Sequence, residues 1–277
     1  MKFQHAADNI FLGETHMAPK LRQHANNHHD HDDKIDLTKA TTSKKKTAKR
    51  SLDTRIINEN TMQQCTPLTQ KQQDMFNAFL GSENQLLAIG SAGTGKSFIA
   101  LYLALKDVLI DKNHKRIILL RSPMSVNSQG FLPGTLEEKE AVYERPYVDI
   151  VNWLFDHNDA YSELKDAGII QFMTTSYIRG LTWNDSIIIA DEVQNMVWEE
   201  INTIATRIGS NSRILFLGDA KQDDIKVSKR YQESGIEKLL KVAYSMKQFD
   251  IIEFMPSDIV RNELVKSWII ACELNKI

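Results

Sequence analysis

The string Gly-Ser-Ala-Gly-Thr-Gly-Lys-Ser at residues 90–97 constrains this chain more than any other feature. It matches the pattern G-x-x-x-x-G-K-[ST] at every fixed position. An apolar run ends just before it at Ile89, and a segment that predicts a helix begins near Lys96. In that context the glycines turn the backbone so that successive N–H groups and the helix N-terminus face a phosphate. We therefore predict a loop that binds ATP or GTP, formed by Gly90, Ser91, Ala92, Gly93, Thr94, Gly95, Lys96 and Ser97.

Four short apolar runs, at residues 86–89, 117–120, 187–190 and 214–217, predict the fold class. Segments with helical periodicity precede and separate them; the one before the first run has apolar residues at Met75, Phe76, Phe79 and Leu80. Strands that are apolar throughout are typical of a parallel sheet covered on both faces. We therefore predict an α/β fold for residues 66–277, a mostly parallel sheet flanked by helices.

The N-terminal part of the chain has a different composition. Six of the eight histidines lie in it, and large apolar residues are sparse. Such a stretch cannot bury enough apolar surface to offset the entropy of ordering, so residues 1–65 are predicted to be a mostly disordered extension. Its His/Asp run at 28–33 either binds a metal or is a solvated tail. Its basic run from Lys39 to Arg50 either contacts phosphate backbones or is a solvated linker.

Overall composition excludes several classes of protein. The chain of 277 residues has 42% hydrophobic residues and a net charge of −2, so any nucleic-acid surface must be a local patch. No apolar run is long enough to span a bilayer, and the N-terminus has no secretory pattern. The two cysteines, Cys65 and Cys272, lie far apart and form no metal-binding pair. We expect a cytoplasmic protein without a membrane partner.

A second acidic element follows the apolar run at 187–190. Asp191 and Glu192 come directly after it, at the edge of the predicted sheet where the phosphate loop also lies. We predict that Asp191 helps to bind Mg²⁺ and that Glu192 is the base that polarises water. A polar string also follows the run at 214–217, where Gln222 either senses the γ-phosphate or lies in a surface turn.

Three strings, at residues 90–97, 190–195 and 218–223, together resemble the signature strings of PhoH-like ATPases. Three shorter strings add to the resemblance: Arg121-Ser122-Pro123, the Gly-Phe-Leu-Pro-Gly string that ends at Gly134, and the Arg-Gly pair within 177–182. The long polar N-terminus resembles bacteriophage-encoded members. The resemblance implies one RecA-like ATPase lobe, related to superfamily-one helicase cores, with ATP and Mg²⁺ as cofactors.

The same resemblance implies roles for three further residues. Gln72 resembles the glutamine that reads the adenine edge, and Arg121 resembles an arginine that faces nucleic acid at the end of a strand. Arg261 resembles the late arginine that contacts the γ-phosphate, from the same chain or a neighbour. From the residues alone, the alternative is that Arg261 forms an ion pair with Asp258 or Glu263 on a helix face.

Two functions are consistent with these features. The first is an ATPase that acts on RNA or single-stranded DNA as a helicase-like homo-oligomer, for example a ring. In it, Phe131 of the segment 125–134 either stacks on bases or packs within its loop. The second is a slow nucleotide-dependent switch or scaffold that regulates a protein partner. A small-molecule kinase fits the acidic pair less well, and residues 1–65 are too short and polar to add a nuclease.

Overall fold

The computed structural model describes residue 57 and the ranges 60–123, 136–219 and 234–275, with only the backbone given for 136–139. The N-terminal extension with its His/Asp and basic runs, the segment 125–134 with Phe131, and Gln222 all lie outside the described residues. The predictions made for them stay predictions.

The described residues form a six-stranded sheet in which every strand pair is parallel. The strand order is β3-β2-β4-β5-β1-β6. The strands are β1 (Gln85–Gly90), β2 (Arg116–Arg121), β3 (Ile170–Thr174), β4 (Ser186–Asp191), β5 (Ser212–Gly218) and β6 (Phe249–Phe254). The four predicted strands are β1, β2, β4 and β5, which occupy the middle of the sheet. They confirm the predicted α/β, RecA-like arrangement, in which one strand separates the strand before the phosphate loop from the strand before the acidic pair.

Seven α-helices accompany the sheet in the described part of the chain. They are α1 (Gln70–Gly81), α2 (Lys96–Lys106), α3 (Leu136–Phe155), α4 (Ala160–Asp166), α5 (Trp198–Ala205), α6 (Ile236–Ser245) and α7 (Glu263–Asn275). Thr69 begins α1 as its N-cap, because its hydroxyl accepts a hydrogen bond from the Gln72 N–H. Leu80, which the helical periodicity placed with the core residues of α1, is instead 58% exposed.

Alternate residues of each central strand face two separate apolar cores. Leu86, Ile117, Ile187 and Leu215 pack on one face with apolar residues of α1, α2, α3 and α4. Leu87, Ile118, Ile188 and Ile214 pack on the other face with α5 and α6. Because both faces are covered, the middle residues of these strands form unbroken apolar runs, which is the pattern visible in the sequence.

The packed part of the molecule reaches to the N-terminal side of residue 66. Ile57, Met62 and Cys65 are buried in the first core. The Gln63 side chain donates a hydrogen bond of 2.8 Å to the Trp153 carbonyl of α3, which anchors this segment. Burial raises the pKa of the Cys65 thiol to about 12, so this cysteine is an inert core residue. No helix among the described residues has both the length and the apolar character to cross a bilayer.

Candidate nucleotide site

The phosphate loop joins β1 to α2 in the predicted strand–loop–helix context. Gly90, Gly93 and Gly95 all have positive φ angles, of 123°, 75° and 84°. At Gly90 a side chain is also excluded by space, since a Cβ atom there would lie 1.9 Å from the Phe254 carbonyl oxygen of β6. The glycine pattern therefore reflects a backbone that no other residue type adopts without strain.

Lys96 lies in the first turn of α2 and folds back over its own loop. Its ammonium donates hydrogen bonds to the carbonyl oxygens of Gly90 and Ser91, at 2.7 and 2.9 Å. Burial lowers the pKa of Lys96, while the carboxylates of Asp219, Glu192 and Asp191 act in the opposite direction. A buried cation beside the loop is the group that a phosphate chain needs there.

Ser97 and Asp191 contact each other at the carboxyl edge of the sheet. The Ser97 hydroxyl donates a hydrogen bond of 3.1 Å to Asp191 Oδ1, and the Glu192 N–H donates one of 3.0 Å to the same oxygen. Asp191 Oδ2 accepts a hydrogen bond of 2.9 Å from the Tyr147 hydroxyl of α3. A hydroxyl and a carboxylate side by side provide the hard oxygen ligands that Mg²⁺ prefers, so these residues fit the ion.

The part of the chain that the structure describes holds no cluster of three or more His, Cys, Asp or Glu residues that could bind a metal. A magnesium site of the phosphate-loop type needs none. Mg²⁺ in such sites takes one or two protein oxygens and completes its octahedron with phosphate oxygens and water. The pair Ser97 and Asp191 would therefore bind the ion only together with a nucleotide.

The backbone of Glu192 has a φ of 54°, a conformation that is rare for a non-glycine residue. Its side chain has a neighbour at each carboxylate oxygen. Gln194 donates a hydrogen bond of 2.6 Å to Glu192 Oε2, and Arg121 Nη2 lies 3.6 Å from Glu192 Oε1. Burial raises the pKa of Glu192, and the neighbouring Asp191 raises it further, while Arg121 and Gln194 oppose the shift. A partly buried carboxyl with a raised pKa is suited to accept a proton from water.

Gln194 connects the acidic pair to the end of β5. Its Oε1 accepts a hydrogen bond of 3.0 Å from the Asp219 N–H, while its Nε2 holds Glu192. Gly218 leaves room for this bridge, because a Cβ atom there would lie 2.8 Å from Gln194 Oε1 and 2.7 Å from Val193 Cγ2. The bridge thus couples the predicted base to the strand end that leads toward Gln222.

Gln72 lies behind the phosphate loop and is fully buried. Its Nε2 donates a hydrogen bond of 2.9 Å to the Thr94 carbonyl, and its Oε1 accepts one of 2.7 Å from the Leu68 N–H. Both ends of the amide are therefore occupied by the protein itself. In this structure the side chain supports the loop, whereas the resemblance implied that it reads adenine.

Arg121 and Arg261 both line the cavity that contains the phosphate loop and the acidic pair. The cavity has a volume of about 280 Å³. Arg121 thus lies at the nucleotide site, although the resemblance implied an arginine that faces nucleic acid. The Arg261 Cγ atom would lie 3.0 Å from a Cβ atom at Gly93, so Arg261 approaches the loop of its own chain. Asp258, an alternative partner for Arg261, accepts a hydrogen bond from the Met255 N–H.

The structure therefore brings the phosphate loop, Asp191, Glu192 and Arg261 together around one cavity. Sequence reasoning missed the roles of Tyr147 and Gln194. Gln194 belongs to the string that followed the acidic pair, which was a usable signal. Tyr147 lies 44 residues from Asp191 along the chain, and no local pattern marks it.

Replacing Gly218 with alanine tests the close approach of Gln194 to β5. We expect Gly218→Ala to lower the free energy of unfolding by about 1–3 kcal/mol, because the added methyl overpacks Val193 and displaces Gln194. Gly81→Ala is the matched control, since a Cβ atom there meets nothing within 4 Å. Urea unfolding measures both variants. Equal stability of the two would contradict the crowding seen at Gly218.

Comparison with known proteins shows the family to which the chain belongs. The profile of the family described as PhoH-like protein matches residues 64–273. A PhoH-like protein of Mycobacterium tuberculosis (strain ATCC 25618 / H37Rv) is 35% identical over 181 residues, covering 65% of this chain and 50% of the relative. The PhoH-like protein of Bacillus subtilis (strain 168) is 33% identical over 183 residues, covering 65% of this chain and 55% of the relative. The matched region thus spans about half the length of these relatives.

Among solved structures, Bacteroides Pif1 bound to ssDNA is similar to 69% of this chain and 42% of its own, with 17% identity and a TM-score of 0.35. Pif1 helicase from Bacteroides in complex with ADP-AlF3 and ssDNA gives 16% identity and a TM-score of 0.34. Likeness this distant carries no argument about the site. The profile match covers well over half of the chain, and on that ground this chain belongs to the PhoH-like protein family.

Proposed function

We propose that this protein binds ATP with Mg²⁺ and hydrolyses it. The observation that carries the proposal is the contact between Ser97 and Asp191, which joins the phosphate loop to the acidic strand end at 3.1 Å. Bound Mg²⁺ would neutralise charge on the β- and γ-phosphates. Lys96 would exchange its bonds to the loop carbonyls for bonds to phosphate oxygens.

Glu192 is the group that we propose accepts the proton. Water attacks the γ-phosphorus, its proton passes to a Glu192 carboxylate oxygen, and the bond to the β-phosphate oxygen breaks to release ADP. Both Glu192 oxygens lie near donors, Gln194 and Arg121, which orient the carboxylate. Arg261 and Gln222 would stabilise charge on the transferred phosphoryl group, Arg261 from within the same chain.

Two substitutions separate binding from turnover. Lys96→Ala is expected to abolish hydrolysis and weaken ATP binding, since the β- and γ-phosphates lose their point cation. Glu192→Gln is expected to bind ATP like the wild type and to hydrolyse it roughly 10²–10⁴-fold more slowly, because the base is lost. Phosphate release and calorimetry measure the two quantities. Normal turnover by Glu192→Gln would show that another group activates water.

We propose further that the ATPase acts on RNA or single-stranded DNA. Tyr177 is 53% exposed and follows β3 at the same sheet edge as the phosphate loop. Arg179, two residues later, is also exposed. An exposed aromatic ring and an exposed guanidinium are groups on which unpaired bases stack.

The nucleic-acid proposal predicts that poly-U RNA or single-stranded DNA raises the ATPase rate several-fold. Tyr177→Ala should weaken this binding by about 1–3 kcal/mol, since one stacking platform is removed. Tyr244→Ala, at a tyrosine that is 60% exposed on α6, is the matched control. Fluorescence anisotropy with a labelled oligonucleotide measures both. No stimulation and no binding, with nucleotide-dependent capture of a protein, would instead favour the switch or scaffold.

A homo-oligomer is the assembly that we propose for this activity. None of the residues of α7 is buried, and the helix exposes Leu264, Trp268 and Leu274. A second copy that covered this apolar face would remove it from water. Mass photometry with ATP should then show a multimer that Trp268→Glu dissociates. A monomer at every protein concentration would contradict the assembly.

A further inference from the structure

Tyr147 is a fully buried residue of α3 whose hydroxyl reaches the candidate nucleotide site. The ring packs in the first core, 6.0 Å between centroids from Phe172 of β3. Its hydroxyl donates to Asp191 Oδ2 at 2.9 Å. A tyrosine hydroxyl this deeply buried needs a hydrogen-bond acceptor, and the acceptor here is the carboxylate predicted to bind the metal.

The two oxygens of Asp191 have different surroundings. Oδ1 faces the phosphate loop, where the Ser97 hydroxyl and the Glu192 N–H both donate to it. Oδ2 faces away toward α3, where Tyr147 donates to it. The Tyr147 hydrogen bond therefore fixes the rotation of the carboxylate about its Cβ–Cγ bond and keeps Oδ1 directed at Ser97.

Helix α3 also forms part of the cavity wall. Pro146 and Ile150 line the cavity on either side of Tyr147 in the sequence. The helix is packed firmly against the first core through Ile150, Val151 and Leu154, all of which are buried. Tyr147 thus lies on a helix that is packed against the core. A donor on such an element can hold the Asp191 carboxylate in one orientation.

We propose that Tyr147 is a positioning residue that fixes Asp191 for binding of Mg²⁺ with the nucleotide. The inference rests on the proposed function. Without the hydroxyl, Asp191 loses the donor that fixes its orientation, and the buried Oδ2 is left to compete for Ser97 or for Lys96. Either partner would then be withdrawn from the metal and the phosphates. Outer partners of metal ligands typically change metal affinity or activity by roughly 10–100-fold when they are removed.

The test measures how the binding of a non-hydrolysable ATP analogue depends on MgCl₂, by calorimetry. In Tyr147→Phe we expect the half-saturating Mg²⁺ concentration to rise roughly 10-fold. Affinity for the analogue in EDTA should stay at the wild-type value, because the phosphate loop is untouched. A general loss of packing would instead weaken binding under both conditions.

Tyr161→Phe is the matched control. Tyr161 is also buried, and its hydroxyl donates a hydrogen bond of 2.7 Å to a carboxylate, that of Glu144, which Lys165 also contacts. Removing this hydroxyl costs the fold a comparable interaction without touching Asp191. The Mg²⁺ dependence of Tyr161→Phe should therefore equal that of the wild type.

A second comparison uses Asp191→Asn as the background. If Tyr147 acts through the Asp191 carboxylate, adding Tyr147→Phe there should leave the Mg²⁺ dependence unchanged. Asp191→Asn also removes the buried charge that Tyr147→Phe alone would leave without its donor, so the double variant tests the proposal if the single variant does not fold. A further tenfold loss in that background would overturn the proposal. A Tyr147→Phe variant with the Mg²⁺ dependence of the wild type would also overturn the proposal, and it would leave the proposed function intact. Absence of Mg²⁺-dependent binding in the wild type would overturn both.

Discussion

The hydrogen bond between Ser97 and Asp191 joins the two halves of the candidate site, and the parallel sheet makes it possible. Ser97 follows β1 and Asp191 ends β4, and both strands flank β5. Neighbouring strands lie about 4.8 Å apart, so two strand spacings separate the phosphate loop from the acidic pair by roughly 10 Å. Side chains that extend toward each other from these two strand ends can close that gap. A different strand order would separate them.

Charge in the cavity is balanced between residues of opposite sign. Lys96, Arg121 and Arg261 line it together with Asp191, Glu192 and Asp219. Burial alone would lower the pKa of Arg121, but Tyr147 and the two carboxylates outweigh it and raise the pKa, so this arginine stays charged. A nucleotide with its metal ion also carries both signs of charge. In this cavity such a ligand would therefore meet side chains of both signs.

The central part of the fold could be predicted from the sequence because the middle residues of β1, β2, β4 and β5 are buried on both faces and form unbroken apolar runs. The edge strands could not. In strand β3 the buried residues alternate with an exposed residue, Gln171, and a half-buried one, Met173, and β6 contains Asp250 and Glu253. The phosphate loop was visible because all its residues are contiguous. Tyr147 was not, since only the packing of α3 on the sheet brings it to Asp191. Gln72 was singled out, but its buried amide bonds to Thr94 and Leu68 depend on how α1 packs behind the loop.

Titration of the wild-type protein with ATP, with and without MgCl₂, tests the central claim most directly. The geometry predicts saturable binding by one ATP per chain, tightened by Mg²⁺, because the phosphate loop and the Ser97–Asp191 pair then act on the same ligand. Calorimetry that detected no ATP binding under either condition would contradict the assignment of residues 90–97 and of the acidic pair together.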